Sequence, residues 1–441
     1  MKHRLKTFGR GGVHPHDKKA PAADSPIRNS YFGQTAVIPM GQHLGAPAEC
    51  LVKPGDTVRE GDLIGKAAGP ISAHVHCPFP GVVEKIEPLI LPNGSSGPAV
   101  YLRIEGTFEP VSIERVNDGW ALMSREELVE MIREAGLVGL GGATFPVNVK
   151  IAVPKGKKAE FLIINGVECE PYLCADYRTM LEYTNEVLEG IDILVKITDA
   201  AKVIIAIENN KPEAVLKMRD AVNRLGRPYT VEVLKVRYPQ GDEKQLIQAV
   251  TGVEVPSGAL PIEAGCVVCN VGTAKSVYDA VVLRRPLTER IVTVSGGAVS
   301  RPSNLKTRIG VPVRDLLNEC GVDFAKTEKI VIGGPMMGFA LADWDTPVTK
   351  GTGGILALTA KEIQAKPETA CLHCGRCVRV CPMGLAPVTL YKLIQAGEYE
   401  KAAEAGLSDC KECGCCSYTC PAGLYLVQAF KKGKVLRRKM Q

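Results

Sequence analysis

The spacing of apolar and polar positions changes several times along the chain, and each change predicts a different kind of element. Residues 1–30 show no period. Gly9, Gly11, Gly12, Pro15, Pro21 and Pro26 forbid long elements, so this stretch reads as an arm that must lie on something. From 35 to 106, short apolar runs are separated by turn signals at Lys53-Pro54-Gly55-Asp56 and at Gly81 after Pro80, which predicts short strands. Residues 124–136 (SREELVEMIREAG) have helical period, with Ser124 as cap and Glu127 completing a capping box. Strands at 160–164, 202–208 and 230–236 then alternate with helices at 178–197, 211–225 and 243–251, and 265–282 reads as a strand running into a helix. That alternation predicts an α/β unit with a largely parallel sheet. Residues 286–345 carry short strands and a helix, 346–370 read as a linker through Gly351, Gly353 and Gly354, and 387–396 and 398–406 read as helices.

Composition narrows the class. A chain of 441 residues has room for about two to four domains. Its 45% hydrophobic content supplies real cores. Sixteen cysteines without a recognisable signal peptide point to a reducing compartment. A membrane-crossing helix needs about 18 or more apolar residues. The nearest candidate, Leu194 to Ile207, is interrupted by Lys196, Asp199 and Lys202. A net charge of +6, with no basic patch interleaved with aromatics, gives no sign of nucleic-acid binding. Lys431, Lys432, Lys434, Arg437, Arg438 and Lys439 crowd the C-terminal end. They read as a solvated tail, the alternative being docking to an acidic partner or an anionic lipid surface.

The strongest chemistry lies in two cysteine runs. Cys371, Cys374, Cys377 and Cys381, followed by Pro382, repeat as Cys410, Cys413, Cys416 and Cys420, followed by Pro421. Both read C-x2-C-x2-C-x3-C-P, the bacterial ferredoxin signature for two [4Fe–4S] clusters, in which the fourth cysteine serves the other cluster. The spacing therefore assigns Cys371, Cys374, Cys377 and Cys420 to one cluster, and Cys410, Cys413, Cys416 and Cys381 to the other. Paired zinc knuckles or disulfides fit this spacing poorly. Cys415 is an extra packing thiol, and Cys266 and Cys269 read as core thiols. His14, His16, His74 and His76 read as structural rather than ligating.

A second constellation lies upstream. Gly136 to Pro146 is glycine-rich, with Gly139, Gly141, Gly142 and Phe145, and Lys150 follows it. Backbone amides freed of side chains can approach a phosphate or a flat ring, and the lysine supplies charge. An ordinary turn also explains such a loop, and the dinucleotide fingerprint G-x-G-x-x-G is absent. Glu168 and Glu170 follow the strand ending at Asn165, where α/β sheets bind ligands. Tyr238, Gly241, Asp242 and Glu243 form a second acidic loop, and Asn270 and Thr273 open the last helix of this region.

These loops resemble the flavin subunit of respiratory complex I, whose first motif reads G-x-G-G-A-G-F-P; Thr144 stands here for one of its glycines. The Gly11-Gly12-Val13-His14-Pro15 arm, a lipoyl-like domain over "VKPGDTVREGDLIG" and "AHVHCPFPGVVEKIE", and the twin ferredoxin runs together resemble the C subunits of Rnf ferredoxin–NAD oxidoreductase complexes over nearly the whole chain. The lipoyl-like turn Ala68-Gly69-Pro70-Ile71 lacks a carrier lysine, so that domain is read as scaffold.

The resemblance implies a multidomain α/β and α+β protein. Its parts are an arm (1–30), a lipoyl-like barrel-sandwich (31–112), an FMN/NADH-binding α/β domain (113–284), a β-grasp module of SLBB type (285–345), a linker (346–368), a helical 2[4Fe–4S] ferredoxin domain (369–430) and a basic tail (431–441). It implies FMN held by Gly139, Gly141, Gly142 and Lys150, with Asn165, Tyr238, Gly241, Asn270 and Thr273 lining the rest. Phe145 is implied to stack on the nicotinamide nucleotide, with Glu170 and Glu243 near its ribose or the flavin edge, and Glu168 and Asp242 are counted with the cofactor-binding residues. The implied function is hydride exchange between NAD(H) and FMN, with single electrons passing through two [4Fe–4S] clusters, in a subunit peripheral on the cytoplasmic face of the membrane. Partners are other subunits of the redox complex, including a ferredoxin-like iron–sulfur subunit. A soluble cobalamin reductase and an electron-relay scaffold without nucleotide activity are the alternative readings.

Overall fold

The structure, a computed structural model, describes residues 5–106, 115–363 and 367–440. The expected domain boundary at 112/113 lies outside the described residues. The arm, linker and tail expectations fall partly outside them.

The central unit is a four-stranded parallel sheet in the order Tyr229–Leu234, Lys202–Glu208, Phe161–Gly166, Cys266–Asn270. Helices cover both faces, and for that reason the strands read as unbroken apolar runs. Register sets Asn165 beside Asn270 at the carboxyl ends of neighbouring strands. The capping box at Ser124 forms on the helix Arg125–Glu134. The helix expected at 178–197 is two helices, Ala175–Glu182 and Thr184–Thr198, broken at Tyr183. It starts early because the Glu168 carboxylate accepts the N–H groups of Asp176 (2.7 Å) and Tyr177 (3.2 Å) and so caps the first turn. Gly190 lets Thr184–Thr198 press onto Val271–Val281, since a Cβ there would lie 1.9 Å from the Ala274 carbonyl oxygen.

The barrel-sandwich consists of two small sheets. One has the order Thr35–Pro39, Ser96–Ile104, Gly81–Ile90, Thr57–Val58, and the other Glu49–Cys50, Leu63–Lys66, Val75–His76. Its core is continuous with that of the β-grasp module, through Ile38, Phe79 and Leu102 on one side and Val292, Leu305 and Leu316 on the other.

Three sequence expectations change here. The β-grasp sheet has six strands, in the order Ile27–Asn29, Ser303–Arg308, Glu289–Ser295, Gly354–Leu358, Lys329–Ile332, Phe339–Ala340. Gly354–Leu358, read as linker, is thus an interior strand, buried throughout. The glycines before it masked a short apolar run that only a sheet interior explains. Ile27–Asn29 of the arm pairs in parallel with Ser303–Arg308. The basic stretch read as a solvated tail is the second half of the helix Leu426–Met440. That helix buries Phe430 and Gly433 against Ile394 and Leu407.

The arm lies between domains. Val13 exchanges backbone hydrogen bonds with Tyr238 (2.8 and 2.9 Å), and Gly12 N–H donates to the Val380 carbonyl (2.8 Å). Gly11, at φ +67°, passes so close to the ferredoxin loop that a Cβ would lie 2.5 Å from the Cys381 carbonyl oxygen.

Candidate flavin, nucleotide and iron–sulfur sites

The loops at the carboxyl ends of the parallel strands, together with the barrel, the β-grasp module and the ferredoxin domain, enclose a cavity of about 1840 Å3. Gly139, Gly141, Gly142, Phe145, Lys150, Asn165, Glu168, Glu170, Tyr238, Gly241, Asp242, Glu243, Asn270 and Thr273 all line it. The glycine loop is closed by Gly139 N–H to the Phe145 carbonyl (2.8 Å) and anchored by Leu140 N–H to Thr273 Oγ1 (2.9 Å).

Several of these side chains are committed to holding the loops. Asn165 Nδ2 donates to the Gly241 carbonyl (2.9 Å). Asn270 Oδ1 caps its helix through Gly272 N–H (2.8 Å) and Thr273 N–H (3.3 Å), while its Nδ2 donates to Asp176 (2.6 Å). Asp242 caps Glu243–Thr251, and Glu168 caps Ala175–Glu182. Lys150 Nζ is paired with Glu243 at 2.5 Å. What the cavity offers directly is the glycine loop, Phe145 and the Lys150–Glu243 pair. Gly142 has φ +120° with nothing within 4 Å of a Cβ built on it, so the backbone there is open to the space beyond. This open glycine-rich loop and the Lys150 ammonium, which line the same cavity, fit FMN.

Glu170 ties three domains together. It accepts the N–H groups of Met336 (3.0 Å) and Met337 (2.9 Å), and lies 3.4 Å from the Tyr238 hydroxyl. Lys19 of the arm donates to its backbone carbonyl at 2.9 Å. Burial pushes the Glu170 carboxyl up to about 7, against the pull of those N–H groups and Lys19. Asp176 is also raised, by burial first and Glu168 second. Sequence reasoning missed Asp176, Lys19 and the part played by Met336 and Met337. Gly333-Gly334-Pro335 was the available signal for the last, and nothing local marks the other two.

The two cysteine loops repeat one backbone. His373 and Glu412 both adopt left-handed conformations (φ 52° and 55°), as do Gly375 and Gly414, and Gly384 and Gly423. In each loop the strained residue turns its N–H onto the first thiol: His373 onto Cys371 Sγ and Glu412 onto Cys410 Sγ, both at 3.4 Å. N–H groups directed at sulfur support thiolate ligands and tune cluster potential. Cys381, Cys410, Cys413 and Cys416 line one small cavity of about 20 Å3. Cys377 has Cys371 and Cys374 as charge neighbours, while one apolar cluster takes in Cys371, Cys377 and Cys420 together with Cys410 and Cys416. The donor set fits two four-iron clusters, and the place of Cys381 beside the 410–416 thiols agrees with one half of the crossed ligation. His74 is engaged otherwise, taking the Ala67 N–H on Nδ1 (3.2 Å) with Arg133 at its Nε2.

The two sites share a wall. Lys411, Glu412 and Cys413 line the large cavity, and the Tyr238 hydroxyl donates to the Cys413 carbonyl at 2.8 Å. Cys415 is buried beneath, with Tyr238.

Comparison with known proteins agrees with this layout. Family profiles match an RnfC barrel sandwich hybrid domain at residues 7–107, a Nuo51 FMN-binding domain at 132–279, an SLBB domain at 291–340 and a 4Fe-4S dicluster domain at 363–421. The chain is also similar along most of its length to the C subunits of several bacterial redox complexes. That of the proton-translocating ferredoxin:NAD(+) oxidoreductase complex of Clostridium ljungdahlii is 44% identical, over 91% of this chain and 87% of its own length. The chain belongs to the family of C subunits of ion-translocating ferredoxin:NAD(+) oxidoreductase complexes. Further members come from the ion-translocating oxidoreductase complex of Rhodobacter capsulatus (42% identical, 99% of this chain, 85% of that one) and the Na(+)-translocating ferredoxin:NAD(+) oxidoreductase complex of Acetobacterium woodii (39%, 91% and 90%). An NAD+-reducing [NiFe]-hydrogenase shares the fold, with a TM-score of 0.50 at 18% identity over 70% of this chain and 60% of the hydrogenase chain. As in the family, this chain combines an FMN-binding domain with a domain for two [4Fe–4S] clusters. No helix among the described residues is long and apolar enough to cross a membrane.

Proposed function

We propose that this chain is the nucleotide-handling, electron-transfer subunit of an ion-translocating ferredoxin:NAD+ oxidoreductase complex, peripheral on the cytoplasmic face of the membrane, and that it reacts with NAD(H) itself. The observation that carries this is the single cavity lined both by the flavin-site loops and by the cluster ligand Cys413. When bound, FMN supplies the conversion between hydride and single electrons, and the clusters carry those electrons singly.

The residues supply position and exclusion of water. Gly139, Gly141 and Gly142 shape the loop for the flavin, Gly142 with open space beyond it, and Lys150, paired with Glu243, brings its ammonium to the same cavity. Phe145 offers a flat face to the nicotinamide nucleotide. Asn165, Glu168, Asp242, Asn270 and Thr273 act one step back, holding the three loops in register. Tyr238 ties the flavin side to the ferredoxin loop, and Glu170 ties it to the β-grasp module. Reaction by hydride transfer rests on such positioning and needs no acid–base pair.

The test is anaerobic purification with analysis of flavin, iron and sulfide, and the rate of NADH oxidation by an artificial acceptor. About eight irons per chain are expected, four for each cluster. Lys150→Ala removes a charge-assisted contact and lowers flavin affinity about ten- to a hundredfold. Phe145→Ala weakens nucleotide binding and leaves flavin bound. Full flavin and full rate in Lys150→Ala move the site elsewhere, and a wild-type chain without flavin makes an electron-relay scaffold the better reading.

A further inference from the structure

The cavity is larger than one ligand needs. Its roughly 1840 Å3 compares with about 300–1,000 Å3 for a site holding one drug-sized molecule. The flavin loops form one wall. The lining also includes Lys411 on the cluster loop and Lys431 and Arg438 on the helix Leu426–Met440. Lys431 and Arg438 are two helical turns apart and so share a face.

Two cations of that helix have carboxylate partners among the described residues, and Lys431, Lys432, Arg438 and Lys439 have none. Lys434 is held by Glu412 (2.7 Å) and the Cys410 carbonyl, and Arg437 by Glu400 (3.1 Å). Lys431 and Arg438, on the cavity face, have no carboxylate partner within 4 Å among the described residues; Lys431 Nζ instead stands 4.1 Å above the ring of Phe339. The nearby carboxylates are already engaged: Glu243 with Lys150, Glu412 with Lys434, and Glu170 with two backbone N–H groups. A concave site with uncompensated cations on one wall is built for an anion.

We propose that the ferredoxin domain completes the nucleotide site, and that Lys431 and Arg438, with Lys411 beside them, bind the diphosphate of the nicotinamide dinucleotide. This rests on the reading that NAD(H) enters the cavity; it adds which wall takes the phosphates. The helix that holds the second cluster loop through Lys434 then also senses the nucleotide.

Calorimetric titration of the FMN- and cluster-loaded chain tests this, using NAD+ and, separately, ADP-ribose, which keeps the diphosphate and lacks nicotinamide. Lys431→Ala and Arg438→Ala each weaken both ligands about tenfold, a charge-assisted contact at the weaker end of its range. KM for NADH rises in step, while flavin and iron contents hold. Lys431→Arg restores affinity. Lys432→Ala, an equal loss of charge from a position outside the cavity lining, leaves both ligands as in wild type. Wild-type affinity for both ligands in the Lys431→Ala/Arg438→Ala double variant overturns the inference. So does a defect confined to binding anionic vesicles or an acidic partner, which makes the face a docking surface. If the wild-type chain binds neither ligand, the nucleotide reading itself falls, an outcome distinct from the other two.

Discussion

Gly142 and Gly141 are neighbours in one loop and face different constraints. Gly142 sits at φ +120°, reserved for glycine, with open cavity beyond it. Gly141 has a Cβ position 3.4 Å from the nearest atom, on Asn270, which is ordinary contact. Gly142→Ala therefore combines about 1–3 kcal/mol of backbone strain with a methyl group in the flavin cradle, whereas Gly141→Ala is tolerated. FMN retained after dialysis, read with the melting temperature, separates them: Gly142→Ala should lose flavin and stability, and Gly141→Ala should keep most of both. Equal retention in the two would mean that the ring lies away from this turn. The same scale shows what resemblance alone does not separate. Asn270 matches a cofactor-lining position and lines the cavity, yet both its oxygen and its amide are engaged by protein partners. No sequence signal separates a residue that touches a ligand from one that aims its neighbour.

Among elements, the arm is the one whose role depends on what it joins. It runs from Lys6 beside Leu234, past Tyr238, to Val380 and Cys381. Cys381 lines the small cavity of the 410–416 loop. Cys381→Ala should therefore damage the cluster held by Cys410, Cys413 and Cys416 and spare the other. Gly11→Ala should perturb the same cluster more mildly, because its Cβ meets the Cys381 carbonyl. Electron paramagnetic resonance of the reduced chain distinguishes the two clusters, and selective loss of the signal from the 371–377 loop would reverse the crossed assignment. The helix Leu426–Met440 shows the converse lesson. Its basic run looked like a solvated tail because charge density is visible in sequence, while Phe430, Gly433 and the partners of Lys434 and Arg437 are visible only once the ferredoxin helices are packed.

Across the whole molecule, Lys350 is the junction. It precedes the interior β-grasp strand Gly354–Leu358, and its buried Nζ donates to the His74 carbonyl of the barrel (2.5 Å) and the Gly136 carbonyl of the flavin domain (2.7 Å). Its own N–H donates to Gln42 (3.0 Å). Burial lowers the Lys350 ammonium to about 7. Burial, reinforced by Lys350, lowers His43 to about 4 and His76 to about 3. A base lowered on folding contributes stability that is complete above its unfolded value and is lost as pH falls through its folded one. For Lys350 that window runs from 10.5 down to about 7. The melting temperature should therefore fall as pH drops from about 10.5 to about 7, and Lys350→Met should flatten the slope while lowering the whole curve through its lost hydrogen bonds. An unchanged slope in Lys350→Met would assign the pH dependence to other groups.

The sequence by itself determined the cysteine chemistry, the order of the domains and the loops that line the large cavity. Those features are local: C-x2-C-x2-C-x3-C spacing, a glycine run after a capped helix, carboxylates at the end of a buried strand. Tertiary structure alone decided the rest, because pairing partners far apart in sequence leave no mark on local period. Gly354–Leu358 becomes an interior strand only when Glu289–Ser295 and Lys329–Ile332 flank it. Glu170 meets Met336 and Met337, Tyr238 meets Cys413, and Lys431 and Arg438 line the same cavity as the glycine loop. Each such contact joins segments from different domains, and the physics that selects it is burial and charge compensation summed over the folded molecule.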